Sequence, residues 1–232
     1  MDSIEKHNPR KEIEEAITAG NVSKLLLLNG MLHGHFCPGL ALGVKAGARA
    51  VRELGVASTG MEEVVAIVEA NSCFSDGIQM VTGCTFGNNA LIYRDYGKTA
   101  VTLAKRTGEA ARLNVKEGGS PLEKYPEAGE LFNKVIRDRK GAEEDDKKLR
   151  ALWVDIAFSM LDVPDEEFFT ITHKRIEVPA YAKIFNNEKC SICGENVMGS
   201  RARIMDEKPA CIPCSRQAYY QLAGDGISTI VV

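Results

Sequence analysis

The chain has 232 residues, a formal net charge of −3 and 44% hydrophobic residues. This length predicts one main domain with a small appendage, and the interspersed charges exclude a global basic field for nucleic acid. The most apolar early segment, residues 22–32, is too short to span a membrane and lies too far from a basic start to be an export signal. We therefore expect a cytoplasmic protein that does not bind membranes.

Helical patterns dominate the start of the chain. A short helix is predicted after Asn8-Pro9, a second over 22–28 and a third over 39–54. Pro38 suits the first turn of the third helix, because its missing N–H would have no partner there. Cys37 is then expected at or beside the N-cap, where unpaired N–H groups and the helix dipole favour a thiolate.

Two imidazoles flank this thiol in the segment His33-Gly-His35-Phe-Cys37-Pro-Gly39. A thiolate close to two imidazoles is either a metal site or a nucleophile with its base. The structural alternative is that Cys37 is a small core residue and that the histidines bond to loop carbonyls.

Two further cysteines flank a predicted helix. A β-branched run over 64–70 predicts a buried strand, and Ser75-Asp76 can cap the helix that follows it. Cys73 would then lie at the carboxyl end of the strand, and Cys84 just after the helix. Three extended segments come next, 90–95, 99–105 and 110–115, with hairpin connections expected at 96–98 and 107–108. This antiparallel meander beside helices predicts an α+β fold.

The second half returns to helix. Helices are predicted within 124–141 and over 149–161, with a solvated charged loop over 142–148 between them and a strand over 168–178. The predicted core domain, an antiparallel-rich sheet flanked by helices, therefore covers residues 1–178. A linker, 179–187, leads to a C-terminal domain, 188–232.

Two Cys-x-x-Cys pairs define the C-terminal domain. Four thiolates at this spacing are the ligand set of a tetrahedral structural zinc, and a chain without an export signal favours metal over disulfides. A hairpin over 197–205 and a helix over 213–221 would make it a treble-clef-like zinc finger. Docking or dimer stabilisation suits its surface better than nucleic-acid binding, because its few basic residues are not interleaved with aromatics. The four cysteines are Cys190, Cys193, Cys211 and Cys214.

The order of these motifs resembles the FmdE family, which comprises the formylmethanofuran dehydrogenase component of that name and its stand-alone relatives. The resemblance rests on segment 33–39, on Asp76-Gly-Ile-Gln79 leading into Thr82-Gly-Cys84-Thr85, on Asp95-Tyr-Gly-Lys98 and on the four-cysteine finger. Gly77 stands where the family pattern has Ala, and the finger is not universal in the family. The resemblance implies an α+β core with a His/Cys cleft, a homodimer, and a molybdenum or tungsten oxidoreductase partner that fixes carbon dioxide onto methanofuran.

Carried over residue by residue, the resemblance implies a second metal site at His35, Cys37 and Cys84, holding zinc or another transition metal. Two sulfurs and one nitrogen leave a position open for water or substrate, as in catalytic zinc sites. Cys73 is a candidate fourth ligand, which would close the site.

Four polar residues are expected around this site. We expect His33 to orient a ligand from the second layer, and Asp76 or Gln79 to orient bound water. Lys98 either contacts an anionic ligand or is simply solvated.

Three functions are compatible with these residues. The first is a metal protein that acts on or binds a small one-carbon or pterin-type ligand, and the sequence leaves open whether it is an enzyme. The second is an accessory module that delivers metal or cofactor and docks through its finger. The third is a thiol redox protein in which Cys37 attacks and Cys84 resolves.

Overall fold

The chain divides into two compact units, Met1–Pro179 and Ala180–Val232. The computed structural model describes residues 8–57, 60–118 and 124–231. None of the helices in these ranges has the length and hydropathy needed to cross a bilayer.

Four helices lie in the first part of unit 1, counted over residues 8–57 and 60–82. Asn21 caps the second of them by accepting a hydrogen bond from the Lys24 N–H, and Gly34, at φ +82°, ends it. This helix is longer than predicted, because the Asn29 side chain bonds back to the Leu25 carbonyl and does not break the helix. The bounds are α1 Lys11–Thr18, α2 Val22–His33, α3 Pro38–Leu54 and α4 Cys73–Thr82.

A five-stranded sheet lies against these helices in the order β2-β1-β3-β4-β5. Only the β1–β2 pair is parallel, and the other three pairs are antiparallel. Alternate residues of the central strands pack into the core that the helices cover. The strands are β1 Val64–Val68, β2 Leu91–Tyr93, β3 Ala100–Lys105, β4 Glu109–Val115 and β5 Phe169–Arg175.

The predicted meander is wrong at its first step. Strands β1 and β2 are parallel neighbours joined through α4, and β3 pairs with the other edge of β1. Residues 96–98 therefore connect β2 to β3, which lie on opposite sides of β1 and do not pair. The parallel strands β1 and β2 are joined by the helix-length crossover that such a pair needs. The hairpin at 107–108 is confirmed, because β3 and β4 pair directly.

The charged run predicted as a loop over 142–148 is instead the start of a helix. Four acidic residues occupy its first turn, where the helix dipole favours negative charge, and Asp145 accepts a hydrogen bond from the Ala142 N–H at 2.8 Å. The remaining helices of unit 1 are α5 Pro126–Phe132, which continues as a π-helical turn over Asn133–Arg137, α6 Glu143–Ser159 and α7 Asp165–Phe168.

Unit 2 is built from short hairpins. The predicted hairpin over 197–205 is wrong, because β6 pairs with β7 and β8 with β9. The predicted helix over 213–221 is also wrong, because it ends at Ser215 and a β-hairpin follows it. The elements are β6 Asn187–Lys189, β7 Asn196–Met198, β8 Arg203–Met205, β9 Lys208–Ala210, α8 Ile212–Ser215, β10 Tyr219–Ala223 and β11 Gly226–Ile230. The α+β class with an antiparallel-rich sheet is confirmed.

Candidate metal centre

The crossing of α3 and α4 brings two cysteines together. The two helices touch backbone to backbone at Gly43 and Gly77, where a Cβ on Gly77 would lie 2.6 Å from the carbonyl carbon of Gly43. Cys37 is the N-cap of α3, and Cys73 is the first residue of α4. Two helix N-termini therefore meet at this point, and both favour negative charge on sulfur.

Two histidines complete the group at the same point. His33 is the last residue of α2, and His35 follows in the turn that leads to Cys37. The donor atoms of His33, His35, Cys37 and Cys73 all lie within 4.8 Å of one another. We call these four residues the cleft cluster. Cys37 is buried, whereas the other three are half-buried and leave one side of the cluster accessible.

The two thiols of the cleft cluster titrate differently. A hydrogen bond from Cys37 and the nearby His33 lower the pKa of Cys73 to about 6, although burial opposes this shift. The same hydrogen bond, with burial, raises the pKa of Cys37. The pair therefore holds its negative charge on Cys73 and its proton on Cys37.

A carboxylate fixes the orientation of His33. Its Nδ1 lies 2.7 Å from an Asp76 oxygen, and its Nε2 lies 3.8 Å from the sulfur of Cys37. Donation from Nδ1–H to Asp76 leaves the Nε2 lone pair directed at the cluster, the tautomer that a metal requires. Gln79 holds Asp76 in turn, with a 3.2 Å bond from its Nε2.

His35 lies between His33 and an aromatic wall. Its ring centroid is 4.4 Å from that of His33, and 5.6 Å from that of Trp153, on which it stacks at 26°. Burial, His33 and Arg150 lower the pKa of His35. A neutral imidazole with a free lone pair is therefore favoured, which is the form that binds metals.

Cys84 does not belong to the cleft cluster, so its predicted role as a ligand is wrong. It follows the C-terminus of α4, whereas Cys73 begins that helix, and the ten residues of α4 separate them by about 15 Å. The Cys84 sulfur donates to the carbonyl of Val64 at 3.5 Å, and burial raises its pKa to about 11. The predicted redox pair of Cys37 and Cys84 is excluded for the same reason.

Of the other predicted site residues, Asp76 and Gln79 lie beside the cleft cluster and Lys98 lies elsewhere. Asp76 and Gln79 contact the cleft cluster through His33, as a second layer. Lys98 is not a donor in the cluster and lines a separate depression beside Arg112.

The four cysteines of unit 2 form a second donor group. Their sulfurs lie within 4.8 Å of one another, with Cys193 and Cys211 3.9 Å apart. Backbone N–H groups of Cys193, Cys211 and Ile192 point at the sulfur of Cys190 and lower its pKa to about 6. This is the pattern of a zinc knuckle, in which amides stabilise thiolates.

Both groups fit a tetrahedral metal ion. Zn–S and Zn–N bonds of about 2.3 and 2.0 Å place two donors of one zinc about 3.5 to 3.8 Å apart. The separations of 3.8 Å in the cleft cluster and 3.9 Å in unit 2 agree with this value. The part of the chain that the structure describes therefore has two Cys/His groups that can hold metal ions.

Comparison with known proteins decides the family. The model of the family described as "FmdE, Molybdenum formylmethanofuran dehydrogenase operon" matches residues 32–170. The chain belongs to the FmdE family. That range includes all four residues of the cleft cluster and ends before unit 2, so the cleft cluster lies in the family domain.

Two known proteins are similar to this FmdE chain. A protein of Archaeoglobus fulgidus named "Probable S-adenosyl-L-methionine-binding protein" is 40% identical over 220 residues, which are 92% of this chain and 58% of the relative. The chain thus spans little more than half the length of that protein. The crystal structure of a "tungsten formylmethanofuran dehydrogenase subunit e (fmde)-like protein" from Syntrophus aciditrophicus matches with a TM-score of 0.52 and 22% identity. The match covers 84% of this chain and 91% of that protein, and it shows that the two share a fold.

Asp76→Asn is expected to weaken metal binding at the cleft cluster of this FmdE protein about 10-fold to 100-fold. The amide no longer favours the tautomer in which Nδ1 carries the proton and Nε2 faces the cluster. Competition with a chromogenic zinc chelator measures the affinity. Asp155→Asn removes the same charge from an exposed position of α6 and is the matched control. Equal weakening in both variants would show that only net charge matters.

Proposed function

We propose that this FmdE-family protein binds one transition-metal ion, zinc in the first instance, in the cleft cluster, and a structural zinc in the four-cysteine group of unit 2. The convergence of two imidazoles and two thiols within 4.8 Å is the observation that carries the proposal. Held there, a zinc ion would supply a Lewis acid beside an accessible surface. The protein's own part is to orient the four donors and to favour the thiolate of Cys73.

The proposed ligand of the cleft is a small one-carbon or pterin-type molecule. The half-buried faces of His35 and Trp153 give a planar ring an aromatic surface, and Asp76 and Gln79 place hydrogen-bonding groups beside it. The family's link to formylmethanofuran chemistry supports this class of ligand.

One observation favours an accessory role as a second candidate. Four protein donors can fill all positions of a tetrahedral zinc, as in closed sites, whereas catalytic sites keep one position for water. The cleft would then store or deliver metal or cofactor to a partner, for which a molybdenum or tungsten oxidoreductase is the proposed class. A crystal structure of the zinc-loaded protein separates the two roles, because a closed site shows two sulfur and two nitrogen neighbours and no bound water.

The name of the Archaeoglobus relative adds S-adenosyl-L-methionine as a ligand to test. We propose it in addition to the one-carbon and pterin-type ligands, because the matched region covers only 58% of that protein.

A single tryptophan makes the ligand test direct. The chain contains one Trp, Trp153, and it stacks on His35. Loading the metal-free protein with Co²⁺, which quenches fluorescence, is expected to dim Trp153 in the wild type. Calorimetry with formate, a reduced pterin and S-adenosyl-L-methionine then tests each ligand on zinc-loaded protein.

The expected result is binding of one of these ligands to the wild type and its loss in Cys73→Ser. If none of the three binds, or if binding is unchanged in Cys73→Ser, the ligand-binding role is wrong and the accessory role is favoured. Failure of Co²⁺ to quench Trp153 would contradict the metal site itself.

A further inference from the structure

The face of the sheet opposite the helices carries a cluster of basic side chains. Ala111 and Leu113 of β4 belong to the helix-covered core, so Arg112 between them lies on the opposite face. Lys174 lies on the same face of β5, because it pairs with Ala110, two residues before Arg112. The strand order and alternation thus bring positive charge together on this outer face.

One buried carboxylate anchors the cluster. Arg112 donates from Nε and Nη2 to the two oxygens of Glu69 at 2.8 and 2.7 Å, and from Nη1 to Asn114 at 3.2 Å. The Glu69 side chain is only 8% exposed. Arg112 above all, with smaller contributions from Lys98 and Lys174, lowers the pKa of Glu69. Arg112 is therefore fixed in place by Glu69 and Asn114, and its side chain is 22% exposed.

Three more cations surround this pair without partners of their own. Arg94, Lys98 and Lys174 form no ion pair and no side-chain hydrogen bond with any described residue. Partial desolvation by its neighbours and the nearby charges of Arg112 and Arg94 lower the pKa of Lys174. Together with Arg112, which already pairs with Glu69, four positive charges lie close to Glu69 or to one another. Like charges held this close are costly unless an anion joins them.

An open depression gives such an anion access. It has a volume of about 510 Å³ and is lined by Lys98, Arg112, Asn114 and Lys116. The Lys116 ammonium donates to the backbone carbonyl of Glu166 and also lies near the carboxylate of that residue. Glu117 is the acidic member of the lining among the described residues.

We propose that this depression is a binding site for a small molecule with two or more oxyanion charges, either phosphate or carboxylate. Lys98 and Arg112 line the depression and offer charged donors to the ligand, and Lys174, beside Arg112 on the neighbouring strand, adds positive charge. The site is separate from the cleft cluster and does not depend on a metal there.

An NMR titration of the full-length, zinc-loaded protein with inorganic phosphate and with succinate tests this at low ionic strength. Shifts confined to the amides of Thr99, Arg112, Asn114 and their neighbours are expected with at least one ligand, and the tighter one identifies the class of oxyanion. The pair Lys98→Ala and Lys174→Ala is expected to weaken binding by about 10-fold or more. Both side chains are exposed, so the fold should survive.

The pair Lys11→Ala and Lys147→Ala removes the same charge from exposed helix positions and is expected to leave the affinity unchanged. Equal weakening by both pairs would mean non-specific screening and would overturn the proposal. The proposal would also be wrong if neither phosphate nor succinate shifts the amides of Thr99, Arg112 and Asn114, or if only a nucleic-acid oligomer shifts them.

Discussion

Cys73→Ser is expected to reduce the bound zinc from two ions per chain to one and to leave the fold of unit 1 intact. The thiolate of Cys73 is the negatively charged member of the cleft cluster, and a serine hydroxyl does not ionise near neutral pH. Structural zinc sites with four ligands are worth about 12 kcal/mol, so losing one ligand costs roughly 3 kcal/mol, or about 100-fold in affinity. Metal analysis after dialysis, with circular dichroism as the folding check, measures both effects.

Cys84→Ser is the matched control. It changes the same atom in the same unit, at the far end of α4, where the sulfur donates to the carbonyl of Val64 and has Thr82 and the backbone of Ala66 nearby. We expect it to keep both zinc ions. If Cys84→Ser loses a metal ion and Cys73→Ser does not, the ligand set inferred from the family motif is right and the cleft cluster is wrong.

Gly43→Ala is expected to lower the free energy of unfolding and to weaken metal binding together. A Cβ at Gly43 would overlap the carbonyl oxygen of Phe74, and one at Gly77 would lie 2.6 Å from the backbone of α3. Neither backbone can yield without moving a helix, and forced overpacking costs about 1 to 3 kcal/mol or more. This outweighs the roughly 1 kcal/mol that alanine gains over glycine in a helix.

The link to the metal follows from the position of the crossing. Moving α3 away from α4 separates Cys37 from Cys73, because each begins one of these helices. Thermal melts and zinc titration of Gly43→Ala and Gly77→Ala test this, against Gly87→Ala, where an added Cβ meets nothing within 4 Å. Variants that lose stability but keep full metal affinity would show that the crossing does not position the cysteines.

The local signals for the site could be predicted from the sequence. Pro38-Gly39 after Cys37 indicates a helix start, and the structure confirms Cys37 as an N-cap whose sulfur accepts from the Leu40 N–H at 3.4 Å. The two Cys-x-x-Cys pairs likewise indicate one four-sulfur group, because each pair is close in sequence and the motif has one common use. Both predictions depend on a few adjacent residues.

The choice between Cys73 and Cys84 could not be made in this way. It depends on where α4 begins and ends, and the sequence placed its start at Ser75, two residues late. That error left Cys73 at the end of the strand, so the family resemblance made Cys84 the predicted ligand and Cys73 only a candidate fourth one. The glycine contact that fixes the register, Gly43 against Gly77, is long-range and leaves no periodic signal.

The sequence did not predict the cluster of basic side chains on the outer face of the sheet, apart from Lys98. Its members lie on or just beyond separate strands, and only the sheet order brings them together. With 96–98 taken as a hairpin, Lys98 seemed to lie at an isolated tip. The crossover from β1 through α4 to β2 instead places it beside Glu69, whose carbonyl accepts from the Lys98 N–H at 3.0 Å.

Anomalous diffraction at the zinc edge from crystals of the zinc-loaded protein tests the cleft cluster most directly. The predicted result is two peaks per chain, one among the sulfurs of unit 2 and one bonded to His33, His35, Cys37 and Cys73. A single peak in unit 2, or a second peak at Cys84, would contradict the metal site on which the proposed function depends.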